Sequence, residues 1–214
     1  MSASDDSLVA LSKALTKLLR HHAMQDGVPI SPDGWMLVED ALRYVAKKRK
    51  IKSNEAAVRK LVEQSDKQRF SVRETNEGLA IRANQGHSMD GINIAMQSLP
   101  DDVGLAVHGT YHEAWPSIQS SGLSRMARQH IHMARDLPGQ SGVVSGMRSN
   151  CELLIWVDVA RARAAGMRFF ESENGVILTD GIDGAVPTEF FDRVEERATG
   201  KLLLQAAESV RSNG

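Results

Sequence analysis

"RFSVRETNEGLAIRA", residues 69–83, decides how the first half of the chain is read. Two runs in which apolar and polar residues alternate, 69–74 and 79–83, flank the turn-forming "TNEG" at 75–78. Alternation with period two around a short polar break predicts a β-hairpin. Phe70 and Val72 then point into a core, and Arg69 and Arg73 face out. Upstream, "SNEAAVRKLVEQS" (53–65) reads as a helix entered through Ser53 or Asn54 as its cap. Residues 38–49 form another helix, with Val38, Leu42 and Val45 on one face, and "WML" (35–37) a short strand. "DGVPISPDG" (26–34) is loop. Leu8, Leu11, Leu15, Leu18 and Leu19 recur at helical spacing and predict a helix over 6–23. Helix, short strand, two helices and a hairpin are the order of a winged helix, a fold that often binds nucleic acid and also serves as a protein-contact scaffold.

Beyond the hairpin, "ANQGHSMDGINIAMQSLPDDVG" (83–104) is polar and broken by glycine. It predicts a boundary near 90–100, with one domain over 1–92 and a second over 93–214. The second half offers strands at 105–110, 130–134, 153–159, 168–172 and 175–180 and short helices at 112–121 and 158–165. "TGKLLLQAAESVRSNG" (199–214) reads as a terminal helix with a frayed tail. Strands and helices mixed at short spacing indicate an α+β fold, not a regular βαβ repeat.

Composition narrows the class. Of 214 residues, 42% are hydrophobic and 25% charged, which is typical of a globular protein. Cys151 is the only cysteine, so no internal disulfide exists. "MSASDDSLVA" has no basic segment leading an apolar core, and no run reaches the roughly 18 apolar residues of a membrane span. A cytoplasmic or nuclear protein without membrane contact is expected. Residues 1–87 hold 15 Lys and Arg against 11 Asp and Glu, whereas 88–214 hold 11 against 16. A mildly basic half beside an acidic one suggests different partners for the two.

Several short stretches could carry chemistry. "LTKLLRHHAMQDG" (15–27) ends an apolar stripe on Arg20, His21 and His22. Cations suit a helix C-terminus, so capping alone would account for them. "VHGT" (107–110) closes a strand on His108, Gly109 and Thr110. Glycine permits close approach of a ligand to the backbone, and a buried structural histidine is the plain alternative. "HIHM" puts His130 and His132 on the same face of a strand. H-x-H can ligate zinc, but neither H-E-x-x-H nor a C-x-x-C pair accompanies it. "GQSGVVSGMRSN" (139–150), with Arg148 and Ser149, is a surface loop or a phosphate-binding one. It fits neither G-x-G-x-x-G nor the P-loop. "KKRKIK" (47–52) reads as a solvated helix end or a nuclear signal.

Eight stretches stand in one order: "LSKALTKLLRHHA", "GWMLVEDAL", "DKQRFSV", "IRANQGHS", "VHGT", "GLSRMARQHIHMA", "SGMRSN" and "NGVILTDG". Together, over about residues 8 to 194, they resemble the NAD-dependent RNA 2′-phosphotransferases of tRNA splicing, in their eukaryotic branch. The resemblance implies a winged-helix lobe followed by an ADP-ribosyltransferase-like lobe. It places the family's catalytic set on Arg20, His21, Arg69 and Arg148, and RNA phosphate contacts on Arg20, His21, Lys67 and Arg69. His108, Gly109, Thr110, His130, His132 and Ser149 match the NAD side, with the choice between His130 and His132 open. The implied reaction consumes NAD in two steps. The RNA 2′-phosphate displaces nicotinamide, and the neighbouring ribose hydroxyl then attacks phosphorus. The products are 2′-OH RNA and ADP-ribose 1″,2″-cyclic phosphate. No metal is implied. A monomer acting on spliced tRNA is expected. The alternatives are ADP-ribosylation of terminal RNA or DNA phosphates and a non-catalytic nucleic-acid-binding protein.

Overall fold

The computed structural model describes residues 3–65, 67–137, 147 and 150–206. The chain divides into two compact units. One is built from residues up to Met96 with Ala127–Gln129 and Ser172–Asn174, the other from Gln97–Met126, His130–Glu171 and Gly175 onward. Among the described residues no helix is long and apolar enough to cross a membrane.

The first unit packs three helices on a small sheet. Helix α1 spans Ala3–Lys17, α2 Val38–Arg49 and α3 Glu55–Glu63. The cap of α3 is Asn54, whose side chain accepts from Ala57 N at 2.9 Å. Helix α2 stops at Lys50, which adopts a left-handed φ of 60°. Strands β1 (Met36–Leu37), β2 (Phe70–Thr75) and β3 (Gly78–Ala83) form an antiparallel sheet in the order β1-β3-β2. Val72 sits opposite Ile81 and Thr75 opposite Gly78, so the hairpin closes on a two-residue loop. Leu11, Leu15, Leu18 and Leu19 pack with Val45, Val58, Phe70 and Ile81 in the core. Phe70 is buried and Arg73 exposed, its guanidinium 4.3 Å from the Trp35 ring centroid.

The second unit is β-rich. Its short elements are β4 (Gln97–Ser98), β5 (Leu105–Thr110), α4 (Trp115–Ser121), β6 (Leu123–Ser124), β7 (Ile131–Met133), β8 (Leu153–Asp158), α5 (Val159–Ala164), β9 (Phe170–Glu171), β10 (Ile177–Thr179) and β11 (Ala185–Val186). Strands β12 (Phe191–Glu196) and β13 (Leu202–Gln205) complete it. The larger sheet runs β13-β12-β8-β5, a second runs β4-β9-β10-β7, and β11 pairs with β6. Mutual hydrogen bonds between Val107 and Ala134, at 2.9 and 2.8 Å, join β5 to the end of β7. Mixed α and β structure with segregated small sheets is an α+β arrangement.

Two expectations are corrected. The terminal helix over 199–214 is instead strand β13 at Leu202–Gln205, and residues 207–214 lie outside the described part. Leu203 and Leu204 pack on the core and Leu204 faces Val194 across the ladder, so tertiary pairing overrides leucine's helical propensity. Strand β12, inner in the main sheet, lies where the sequence suggested no strand. A register shift between Phe191 and Arg193 interrupts its alternation. Its polar residues are committed to Trp156. Glu195 accepts from Trp156 Nε1 at 2.8 Å, and Arg193 lies 4.3 Å above the same ring.

Candidate functional site

Helix α1 does not end as an ordinary α-helix. Leu18–His22 winds as a π-turn, closed by Ala23 N donating to Leu18 O at 3.0 Å. Such turns are rare and recur at functional sites. Leu18, Leu19 and Ala23 stay buried, while Arg20, His21 and His22 emerge half-buried on the other side of the widened turn.

The segment following β3, residues 84–92, holds this turn in place. Ser88 N donates to Arg20 O at 3.0 Å, and Ser88 Oγ shares a 2.8 Å hydrogen bond with His21 Nδ1. The bond fixes the plane of the His21 ring and leaves Nε2 on the opposite edge. Gly86, at φ +88°, lies so close that a Cβ there would meet the Arg20 guanidinium at 3.2–3.3 Å. Asn84 fastens the loop bearing Arg69. Asn84 N donates to Arg69 O at 3.0 Å, and Asn84 Nδ2 to Gln68 O at 2.8 Å. Gln68 sits at φ 38°, an uncommon conformation for a side-chain-bearing residue, which the Asn84 amide helps hold. Asn174 Nδ2 donates to Lys67 O at 3.0 Å. The same segment anchors Ala127–Gln129. Gln129 N donates to His87 O at 3.0 Å, and Gln129 Nε2 to Met89 O and Ile92 O at 3.0 and 2.9 Å. Arg128 is thereby fixed in the first unit.

The result is a concentration of positive charge. Burial, then Arg128, then Arg69 bring the Arg20 guanidinium down to about 10 from its ordinary 12.5. His21 is held below its usual value by burial, with Arg20, Arg128 and His22 adding to the effect. Lys67 is lowered by burial and by Arg69. Among the described residues neither Arg20 nor Arg69 has a carboxylate partner, and the buried Nε of Arg20 has no hydrogen-bond partner. Like charges brought together and partly desolvated are unfavourable until an anion joins them. A phosphomonoester, with about −1.5 to −2 charges near neutral pH, is suited to guanidinium forks. A near-neutral His21 is available to exchange a proton.

In the second unit, the predicted residues fall on β5 and around β7. His108 Nδ1–H donates to the His132 carbonyl at 2.7 Å, so β5 and β7 are tied through the ring. Thr110 is buried and pairs with Leu153. The space beside Gly109 is filled by neighbouring side chains: a Cβ would lie 2.5 Å from Met147 Cγ and 2.8 Å from Cys151 Sγ. The His130 ring meets Phe170 edge-on, with centroids 6.2 Å apart. Burial lowers its pKa, Asp180 opposes that, and Arg125 and Arg168 reinforce it. Arg148 and Ser149 lie outside the described residues. No group of three or more His, Cys, Asp or Glu able to hold a metal occurs among the described residues.

Arg128, Ser88, Asn84 and Gly86 were not singled out from the sequence, although all lie in stretches that carry the resemblance. Arg128 stands two residues before the "HIH" histidines that drew attention instead.

Residues 6–181 match the family described as RNA 2′-phosphotransferase, Tpt1 / KptA family. The human tRNA 2′-phosphotransferase 1 is 40% identical over 210 residues, covering 95% of this chain and 82% of its own length. The Danio rerio tRNA 2′-phosphotransferase 1 is 41% identical over 194 residues, 87% of this chain and 85% of its own. A Schizosaccharomyces pombe relative, 41% identical over 210 residues, is longer, and 97% of this chain spans 56% of it.

Proposed function

The chain belongs to the RNA 2′-phosphotransferase (Tpt1 / KptA) family, and from that premise we propose that it removes an internal 2′-phosphate from RNA, such as the splice junction of tRNA, by transfer to NAD. The single observation that supports this best is the charge cluster in which Arg128 and Arg69 bear on Arg20, while Arg20 and Arg128 bear on a His21 oriented by Ser88. Arginines neutralise the phosphate and hold its oxygens in bidentate fashion without competing for protons. A deprotonated 2′-phosphate is the nucleophile that would displace nicotinamide from C1″ of NAD. In the second step the adjacent ribose hydroxyl attacks phosphorus, negative charge builds on the equatorial oxygens, and preorganised cations lower the barrier. Arg148 belongs to this proposal on the sequence resemblance alone, and Arg128 joins it from the geometry.

The first unit is proposed as a winged-helix lobe that holds RNA phosphate, with Lys67 assisting. Support comes from three helices on a β1-β3-β2 sheet whose β2–β3 hairpin forms the wing. The second is proposed as an ADP-ribosyltransferase-like lobe that takes NAD through His108, Gly109, Thr110, His130, His132 and Ser149. A monomer working in the cytoplasm or nucleus, without metal, is part of the same reading.

Incubation with NAD and an oligoribonucleotide carrying one internal 2′-phosphate, in the presence of a chelator, tests it. The expected products are 2′-OH RNA, nicotinamide and ADP-ribose 1″,2″-cyclic phosphate. Transfer confined to terminal phosphates, stopping at the ADP-ribosylated nucleic acid, would replace this reading with the neighbouring activity. Absence of any NAD consumption would overturn it.

A further inference from the structure

Beside the arginine cluster, and within the first unit, α1 and the end of α3 part to leave a groove of about 330 Å³. Leu8, Val9 and Leu61 give it apolar lining, Ser12 and Gln64 polar groups, and Lys67 and Arg69 two cations. We propose that this groove holds a ribonucleotide flanking the 2′-phosphorylated one, its base against Val9 and Leu61 and its phosphodiester at Lys67. The proposal rests on the phosphotransferase reading and adds a subsite to it.

Four features support this occupant. Arg69 belongs both to the groove and to the cluster around Arg20, so a chain whose phosphate engages the cluster leads directly into the groove. Lys67 and Arg69 both line the groove, Arg69 bears on Lys67 and also on Arg20, and this run of positive charge from the cluster into the groove complements a polyanion. The volume lies at the small end of the roughly 300–1,000 Å³ of ligand pockets, which suits one nucleotide and not a duplex. Val9 is 42% exposed, an aliphatic surface that the fold leaves to solvent, and the side chains of Ser12 and Gln64 make no hydrogen bond among the described residues. An apolar wall with unengaged polar groups along it matches a base, which has an apolar face and a polar edge. Among the described residues no aromatic ring lines the groove, so a base there is held by van der Waals packing against aliphatic side chains and not by stacking.

The test compares two substrates in the full chain: an oligoribonucleotide with a central 2′-phosphate, and a 2′-phosphorylated mononucleoside without neighbours. Val9→Asp places a carboxylate on an already exposed position. Its kcat/KM on the oligonucleotide is expected to fall about tenfold further than on the mononucleoside, chiefly through KM. Gln64→Ala, also exposed, should give the same pattern more weakly. An abasic site on one flank should cost the wild-type protein affinity and cost Val9→Asp little more. Equal loss on both substrates, or no loss on either, overturns the subsite. If the wild-type protein transfers phosphate from neither substrate, the phosphotransferase reading has failed. Fluorescence anisotropy of the 2′-phosphorylated oligonucleotide then decides the groove, which is overturned if wild type and Val9→Asp bind equally.

Discussion

Replacing Arg20 by Met should make the ligand-free protein more stable while abolishing its activity. Arg20 is held at about 10 against its ordinary 12.5, by burial first and then by Arg128 and Arg69. The charged form is therefore less favourable in the folded chain than in the unfolded one. For a base with a depressed pKa this cost is fully present below about pH 10, hence at pH 7, and is relieved only as the pH rises through that value. At about 1.36 kcal/mol per pH unit the difference is roughly 3 kcal/mol, which solvent screening of a half-buried guanidinium reduces to about 1–2 kcal/mol. Methionine keeps an unbranched apolar stem in the same place. No hydrogen bond of Arg20 Nε is lost, because it makes none among the described residues. For a chain of this length, 1–2 kcal/mol corresponds to a rise in Tm of about 2–8 °C. The assay is thermal unfolding followed by circular dichroism at pH 7 in a phosphate-free, low-salt buffer. Inorganic phosphate should then raise the Tm of the wild type more than that of Arg20→Met, since binding to the folded state is what stabilises it. Transfer should fall by at least about 10²-fold. A variant less stable than wild type without phosphate would show that Arg20 is already balanced by an anion and would refute the argument.

Three further outcomes follow from other parts of the molecule. His21 and His130 both have folded pKa values below the ordinary 6.5, so the unfolded chain binds more protons just below that pH. Stability should fall as pH drops below about 6.5, and His21→Asn should flatten that slope in a series of melts between pH 7.5 and 5.5; a wild-type profile flat over that range would contradict the assigned shifts. Ser88→Ala removes the 2.8 Å bond to His21 Nδ1 but not the backbone bond to Arg20. It should lower kcat/KM about 5–10-fold, the worth of roughly 1 kcal/mol, and shift the acid limb of the pH–rate profile, with Ser88→Thr restoring both. Leu204→Asp, in strand β13 opposite Val194, should cost about 1–3 kcal/mol in urea unfolding, whereas Leu202→Asp, 47% exposed, should cost little; equal effects would argue against the strand.

The boundary between what the sequence discloses and what it conceals follows the range of the contacts. Helix α1 announces itself because Leu11, Leu15, Leu18 and Leu19 are neighbours along one stripe, and the hairpin because Val72 and Ile81 are only a turn apart. The leucine stripe continues smoothly into the π-turn, and nothing in "LLRHHA" distinguishes five residues per hydrogen-bonded turn from four. Strand β12 hides for a related reason. Its register shift breaks the period of two, and Asp192, Arg193, Glu195 and Glu196 make it read as a solvated loop until Trp156 is seen to engage two of them. Arg128 is the extreme case. It stands between two strands of the second unit in sequence, yet hydrogen bonds from its neighbour Gln129 to His87, Met89 and Ile92 carry it into the first. No periodicity or motif encodes that placement. It depends on a glutamine amide meeting two backbone carbonyls about 40 residues away, a pairing that exists only once residues 84–92 have been laid across the π-turn. The histidine and arginines of the proposed site are legible as residue types suited to phosphate. What brings them together is the segment containing Asn84, Gly86 and Ser88, which fixes the Arg69 loop, packs against Arg20 and orients His21. Chemistry is written in the charged residues, whereas geometry is written in the small polar ones that sequence reading passes over.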